Sequence, residues 1–182
     1  MITTNSEKLY LRLKRLRSHG MVYQSESYLL QQNHGGWYME MQELGYNYRI
    51  PDILCALGIS QLKRAKEGIQ RRRQIAKKYY SAFEGSQIRT YEPPVDVAHA
   101  YHLFIVNVKN RKEVYDKLRE HKIYAQIHYV PVHMMPYYME IKEFSLPKAE
   151  AYYEHCLSLP MYPTLTDAEQ GFVIEKVLEY AK

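Results

Sequence analysis

Residues 51–83 constrain this chain more than any other stretch. Pro51 and Asp52 suit a first helical turn, because proline's fixed φ and missing N–H cost nothing there and a carboxylate favours the positive end of the helix dipole. Residues 53–59 follow, apolar nearly all round, which predicts a buried helix. Ala56 and Gly58 within them permit close approach of another helix. From Gln61 the pattern turns polar and basic, with Ile69, Ala76, Tyr80 and Phe83 on an inner stripe and Gly68 a place where the segment can divide into two helices. So long a helical segment, apolar at one end and amphipathic at the other, reads as a connector between packed bodies.

The flanks read as an α/β chain. Residues 1–4 are β-prone and predict the end of a strand; a chain opening in mid-strand points to a part upstream. Leu9, Leu13 and Leu16 recur at helical spacing, with Gly20 as the stop. Residues 21–48 lack a period and predict a long structured loop around Gly35, Gly36 and Trp37. Beyond Pro93 and Pro94, residues 102–108 predict a strand, 112–121 a helix with Val114 and Leu118 inward, and 124–130 a second strand. Residues 131–147 predict a loop with short helical turns, and 149–157 a helix. Thr166 with Glu169 makes a capping box for a last helix whose apolar face is Val173, Val177, Leu178 and Ala181.

Composition sharpens the question. Hydrophobic residues are 46% of 182, but that count includes 19 tyrosines. Without them the apolar share is about 36%. A tyrosine ring buries well while its hydroxyl wants water or a partner, so this excess predicts a large interface or ligand surface. Of each adjacent pair, Tyr137–Tyr138 and Tyr152–Tyr153, one member is expected in the core. The net charge of +5 tolerates phosphate ligands or nucleic acid. Arg71, Arg72 and Arg73, however, spread around a helix axis and predict solvated side chains, not a nucleic-acid face. Cys55 and Cys156 lack metal spacing and read as reduced core thiols. With no apolar run long enough to span a bilayer and no signal peptide, the expected location is cytoplasmic, away from membrane.

Two segments carry candidate chemistry. Gly45-Tyr46-Asn47-Tyr48-Arg49-Ile50-Pro51 precedes a helix start, where backbone amides, an Asn amide and a guanidinium suit an anion. The alternative is that Asn47 caps a turn and Arg49 is solvated. His128-Tyr129-Val130-Pro131-Val132-His133 delivers two imidazoles and a phenol from a strand end into a loop, where they either meet a ligand or pack. A zinc site lacks a third ligand. There is no P-loop, GxGxxG or GxSxG, and the adjacent His155 and Cys156 point apart.

These segments, with Met-Ile-Thr-Thr-Asn at 1–5, Leu-Arg-Ser-His-Gly at 16–20, Ala-Leu-Gly-Ile-Ser-Gln-Leu at 56–62 and Leu-Ser-Leu-Pro at 157–160, resemble one family in order and spacing. It is the C-terminal half of the DegT/StrS-type sugar-nucleotide aminotransferases, on the fold-type I PLP-dependent transferase scaffold. The resemblance implies the end of a large domain over 1–50, connecting helices over 51–84 and a small α/β domain over 85–182. It implies pyridoxal phosphate as cofactor in a homodimer, with Asn47 and Arg49 at the phosphate in the neighbouring subunit's site. Tyr129, His133, Trp37 and Tyr38 are implied at the sugar nucleotide. Residues 125–129 are similar to transaminases of pseudaminic acid synthesis, which aminate a UDP-linked 4-keto-6-deoxy sugar with glutamate as donor. The family's Schiff-base lysine sits in a Ser-x-His-x-x-Lys segment upstream of the matched residues, so no lysine here is assigned to catalysis. Relatives with histidine at that position dehydrate sugars, and a non-catalytic binding derivative is the further alternative.

Overall fold

A computed structural model of the chain describes residues 2–30, 35–141 and 144–181. It divides into two compact units, Met1–Gln61 and Leu62–Lys182, with the division inside one helix.

The first unit opens with helix α1, Glu7–Leu16, whose Ser6 side chain caps the Leu9 amide at 3.3 Å. The helix ends where His19 and Gly20 take positive φ. Residues 2–4 form no ladder, so the expected strand is missing: a strand needs a neighbour, and no described residue pairs with them. Met1 lies outside the described residues. Within the expected loop, strands β1 (Met21–Val22) and β2 (Glu40–Met41) form a short antiparallel ladder.

Helix α2, Asp52–Phe83, runs unbroken through Gly68. A single helical glycine costs only about 1 kcal/mol, and this one packs against Pro163. The expected burial of 53–59 is not found. Ile53, Leu54, Leu57 and Ile59 are all exposed, because nothing among the described residues covers them. Tyr79, not Tyr80, lies on the inner stripe, with Ile75, Ala76 and Phe83; Ile69 and Tyr80 are half-buried.

The second unit holds the core. Strands β3 (Arg89–Thr90), β4 (Phe104–Asn107) and β5 (Cys156–Leu159) form an antiparallel sheet in that order. Helix α3 (Arg111–Glu120) supplies Val114 and Leu118, and α6 (Asp167–Tyr180) supplies Val173 and Val177, against Phe104, Val106, Leu157 and the α2 stripe. Two short helices, α4 (Pro136–Ile141) and α5 (Pro147–His155), lie between α3 and β5. The capping box of α6 forms as expected, although Leu178 is exposed and Gln170 takes a core position, donating to the Ile75 carbonyl at 2.8 Å.

Four expectations fail here. The segment 124–130 makes only one bridge, Gln126 with Ser158, and the strand beside β4 is β5, which includes Leu157, the last residue of the helix expected over 149–157. Neither member of Tyr137–Tyr138 or Tyr152–Tyr153 is buried, since the short helices α4 and α5 lie at the surface. The three arginines are not simply solvated. Arg71 donates to the Leu165 carbonyl and Asp167, Arg72 to the carbonyls of Tyr101, His102 and Met161, and Arg73 to that of His99. Of the two free thiols, Cys156 is buried, which pushes its pKa up, whereas Cys55 is only half-buried, not a core residue.

Candidate functional site

In the first unit the site is built on the end of α1. Ser18 bridges Asn47 antiparallel, and backbone hydrogen bonds bind the two segments: His19 N–H to Tyr46 O at 2.8 Å, Tyr46 N–H to Leu16 O at 2.7 Å and Tyr48 N–H to Arg17 O at 2.9 Å. Two glycines permit this approach. A Cβ on Gly45 would lie 2.1 Å from the Gly20 nitrogen, and one on Gly20 would lie 1.7 Å from the Glu43 carbonyl oxygen.

The crossing holds Tyr46, Asn47, Tyr48 and Arg49 at the surface. The tyrosine rings stack at 4.8 Å, 6° from parallel, on either side of Asn47 in sequence. The Asn47 amide and the Arg49 guanidinium make no hydrogen bond or ion pair with any described residue. An unengaged amide and guanidinium one residue apart suit a phosphate dianion, which accepts at several oxygens at once. The set therefore fits the phosphate of pyridoxal phosphate.

Trp37 and Tyr38 belong to the same unit. Trp37 is 81% exposed. Tyr38 is half-buried, its hydroxyl 3.3 Å from Glu40 and its ring edge-on to Tyr28 at 5.1 Å. Burial, then the neighbouring Glu40 charge, raises the Tyr38 pKa.

Tyr129 and His133 lie in the second unit. Tyr129 is exposed, its ring edge-on to His128, which shares a 2.9 Å hydrogen bond with the buried Ser158 hydroxyl. His133, in a 3₁₀ turn at Val132–Met134, is nearly buried and pairs with Glu150 at 2.9 Å. Glu150 also accepts the Leu146 amide at 2.8 Å. That amide first, and then His133, holds the Glu150 carboxyl below its ordinary pKa. A lowered folded pKa stabilises the fold above the ordinary value of 4.5 and loses that contribution as pH falls through the folded value. Thermal melts should therefore stay flat in this contribution above about pH 5 and drop below it. Glu150→Gln should flatten the acid limb; an unchanged limb in circular-dichroism melts refutes this.

Among the described residues no group of His, Cys, Asp or Glu is placed to hold a metal ion, and no helix is long and apolar enough to cross a membrane. Sequence reasoning missed Glu40, the one buried charged residue among those described. Its only sequence signal is a carboxylate between Met39 and Met41 in a period-2 run.

Residues 1–178 match the family model of the DegT/DnrJ/EryC1/StrS aminotransferases, and the chain belongs to that family. It is 35% identical to the spore coat polysaccharide biosynthesis protein SpsC of Bacillus subtilis, over 100% of this chain and 49% of that protein. It is 30% identical to the UDP-4-amino-4,6-dideoxy-N-acetyl-beta-L-altrosamine transaminase of Campylobacter jejuni, over 94% of this chain and 45% of that one. Its fold superposes on Helicobacter pylori PseC, an aminotransferase of pseudoaminic acid biosynthesis, with a TM-score of 0.84 at 27% identity, over 97% of this chain and 47% of the other. The chain thus spans about half the length of these relatives, and its α/β architecture is part of a fold-type I PLP-dependent transferase. Aminotransferases of this family are PLP-dependent.

Proposed function

We propose that this chain is the C-terminal portion of an aminotransferase that aminates a 4-keto-6-deoxy sugar nucleotide, UDP-linked and with glutamate as donor, for a surface polysaccharide or flagellin glycan. The observation that carries this is the Asn47–Arg49 segment, where an amide and a guanidinium stand unengaged on a crossing that only glycines allow. In this reading residues 1–50 end a large domain, 51–84 connect, and 85–182 form the small domain of a cytoplasmic homodimer.

Asn47 and Arg49 bind the cofactor phosphate in the neighbouring subunit's site. Tyr129 and His133 wall the sugar nucleotide, with Glu150 fixing the His133 ring. Trp37 and Tyr38 meet the nucleotide. Bound pyridoxal phosphate supplies an electron-poor ring that delocalises charge developed at the substrate carbon. The uncovered apolar face of α2 at Ile53, Leu54 and Leu57, and the eleven exposed tyrosines against one buried, support an incomplete enzyme with surface meant for other chain.

The test is equilibrium dialysis of the chain against pyridoxal phosphate. Asn47→Ala and Arg49→Ala should each weaken binding about tenfold or more, the worth of a hydrogen bond to a charged group. Unchanged binding overturns the phosphate assignment. A half-reaction with glutamate and added cofactor should show no turnover; robust turnover overturns the reading of the chain as a portion.

A further inference from the structure

The sole tryptophan sits on a glycine. Gly35 has φ +90°, and a Cβ there would lie 2.6 Å from Trp37 Cη2 and 2.7 Å from Cζ3. The six-membered side of the indole therefore rests on the Gly35 backbone, while 81% of the residue stays open. The Gly35 carbonyl accepts the Tyr38 N–H at 3.1 Å, which closes the turn that carries Trp37.

Glu40 fastens that turn. Its buried carboxylate accepts the Leu29 N–H at 2.7 Å, the Leu30 N–H at 2.8 Å, the Gln42 side-chain amide at 2.9 Å and the Tyr38 hydroxyl at 3.3 Å. A buried charge without donors is expensive, so this carboxylate drives the loop into the one arrangement that delivers all four. Burial alone would raise its pKa, but the hydrogen bonds from Gln42, Leu29, Leu30 and Tyr38 outweigh it and hold the group ionised. Gln42 carries the link onward, accepting from Arg15 Nη1 at 2.6 Å, and Arg15 Nε donates to Glu43 at 2.9 Å. The Trp37 turn is thus tied to the same last turn of α1 that receives the Asn47 segment.

We propose that Gly35 and Glu40 are positioning residues that hold Trp37 as a preset, one-faced stacking platform for a nucleotide base. This rests on the reading of Trp37 as a nucleotide contact. An aromatic ring fixed on one face and open on the other accepts a flat base without an ordering cost of its own.

The emission of Trp37 reports the platform directly. UDP should quench it saturably in the 182-residue chain, and inorganic phosphate should not. Gly35→Ala and Glu40→Ala should each weaken the UDP response at least fivefold and lower the Trp37 anisotropy, with far-ultraviolet circular dichroism unchanged. Glu40→Gln keeps the shape but turns one acceptor into a donor against the Leu29 or Leu30 amide, so it should fall between; it serves where the alanine variants do not fold. Quenching by UDP in the parent that is equal in all three variants overturns the role of Gly35 and Glu40 and leaves the Trp37 contact standing. No quenching by UDP in the parent overturns the Trp37 contact itself and the platform with it.

Discussion

Gly45→Ala should abolish the ordered crossing in the first unit. The added methyl would lie 2.1 Å from Gly20 N, 2.6 Å from His19 C and 2.8 Å from Leu16 O. All three are backbone atoms, so no rotamer change relieves the clash and the segments must part. Parting them loses the hydrogen bonds of His19, Tyr46 and Tyr48 across the crossing. At about 1 kcal/mol each these sum to roughly 3 kcal/mol, before any cost of the clash. The unit has little reserve, because among its described residues only Gly20 and Glu40 are buried. Gly20→Ala should act the same way, since its φ of +72° and its 1.7 Å approach to the Glu43 oxygen both exclude a side chain. Hydrogen exchange reads the result: the Tyr46 and Tyr48 amides should lose protection while those of β4 and β5 keep theirs. Full protection at Tyr46 in Gly45→Ala refutes the crossing as the element that presents Asn47 and Arg49.

The sequence made α1, α3 and α6 legible because each carries its signal within one window. Leu9, Leu13 and Leu16 set the first, Val114 and Leu118 the second, and Thr166 with Glu169 starts the third. Strand β5 was hidden because Cys156 follows α5 without a turn residue, and a four-residue apolar run fits helix or strand equally. Its partner β4 decides the matter from about fifty residues away in sequence. The exposure of 53–59 was illegible for another reason: periodicity says that a face needs cover, not that the cover is in the same unit. At the site, Asn47 and Arg49 stood out through the motif around them. Glu40 did not, because what distinguishes it is four donors from a folded loop, and a lone carboxylate in a β-prone run has the same sequence pattern at the surface.

Arg72→Met should cost the second unit about 2–3 kcal/mol, read as a fall in the urea midpoint at constant m-value. Methionine keeps most of the aliphatic stem and removes the donors. Arg72 Nη1 serves three carbonyls, Tyr101 at 3.1 Å, His102 at 3.3 Å and Met161 at 2.7 Å. These lie on the chain entering β4 and the chain leaving β5, which meet at one end of the antiparallel pair, where Phe104 faces Leu159, so one side chain on α2 ties that end of both strands to the helix. The His102 carbonyl is reached by water when the guanidinium goes, whereas the other two are half-buried and lose a charged donor. For a unit of this size the loss corresponds to roughly 10 °C in melting temperature. Arg73→Met removes only one exposed bond, to His99 O at 3.0 Å, and should cost under about 1 kcal/mol. The ratio between neighbours is the informative quantity, because solvated arginines would give equal and near-zero effects. Equal midpoints for the two variants would return the arginine run to the solvated helix face that its sequence alone predicts.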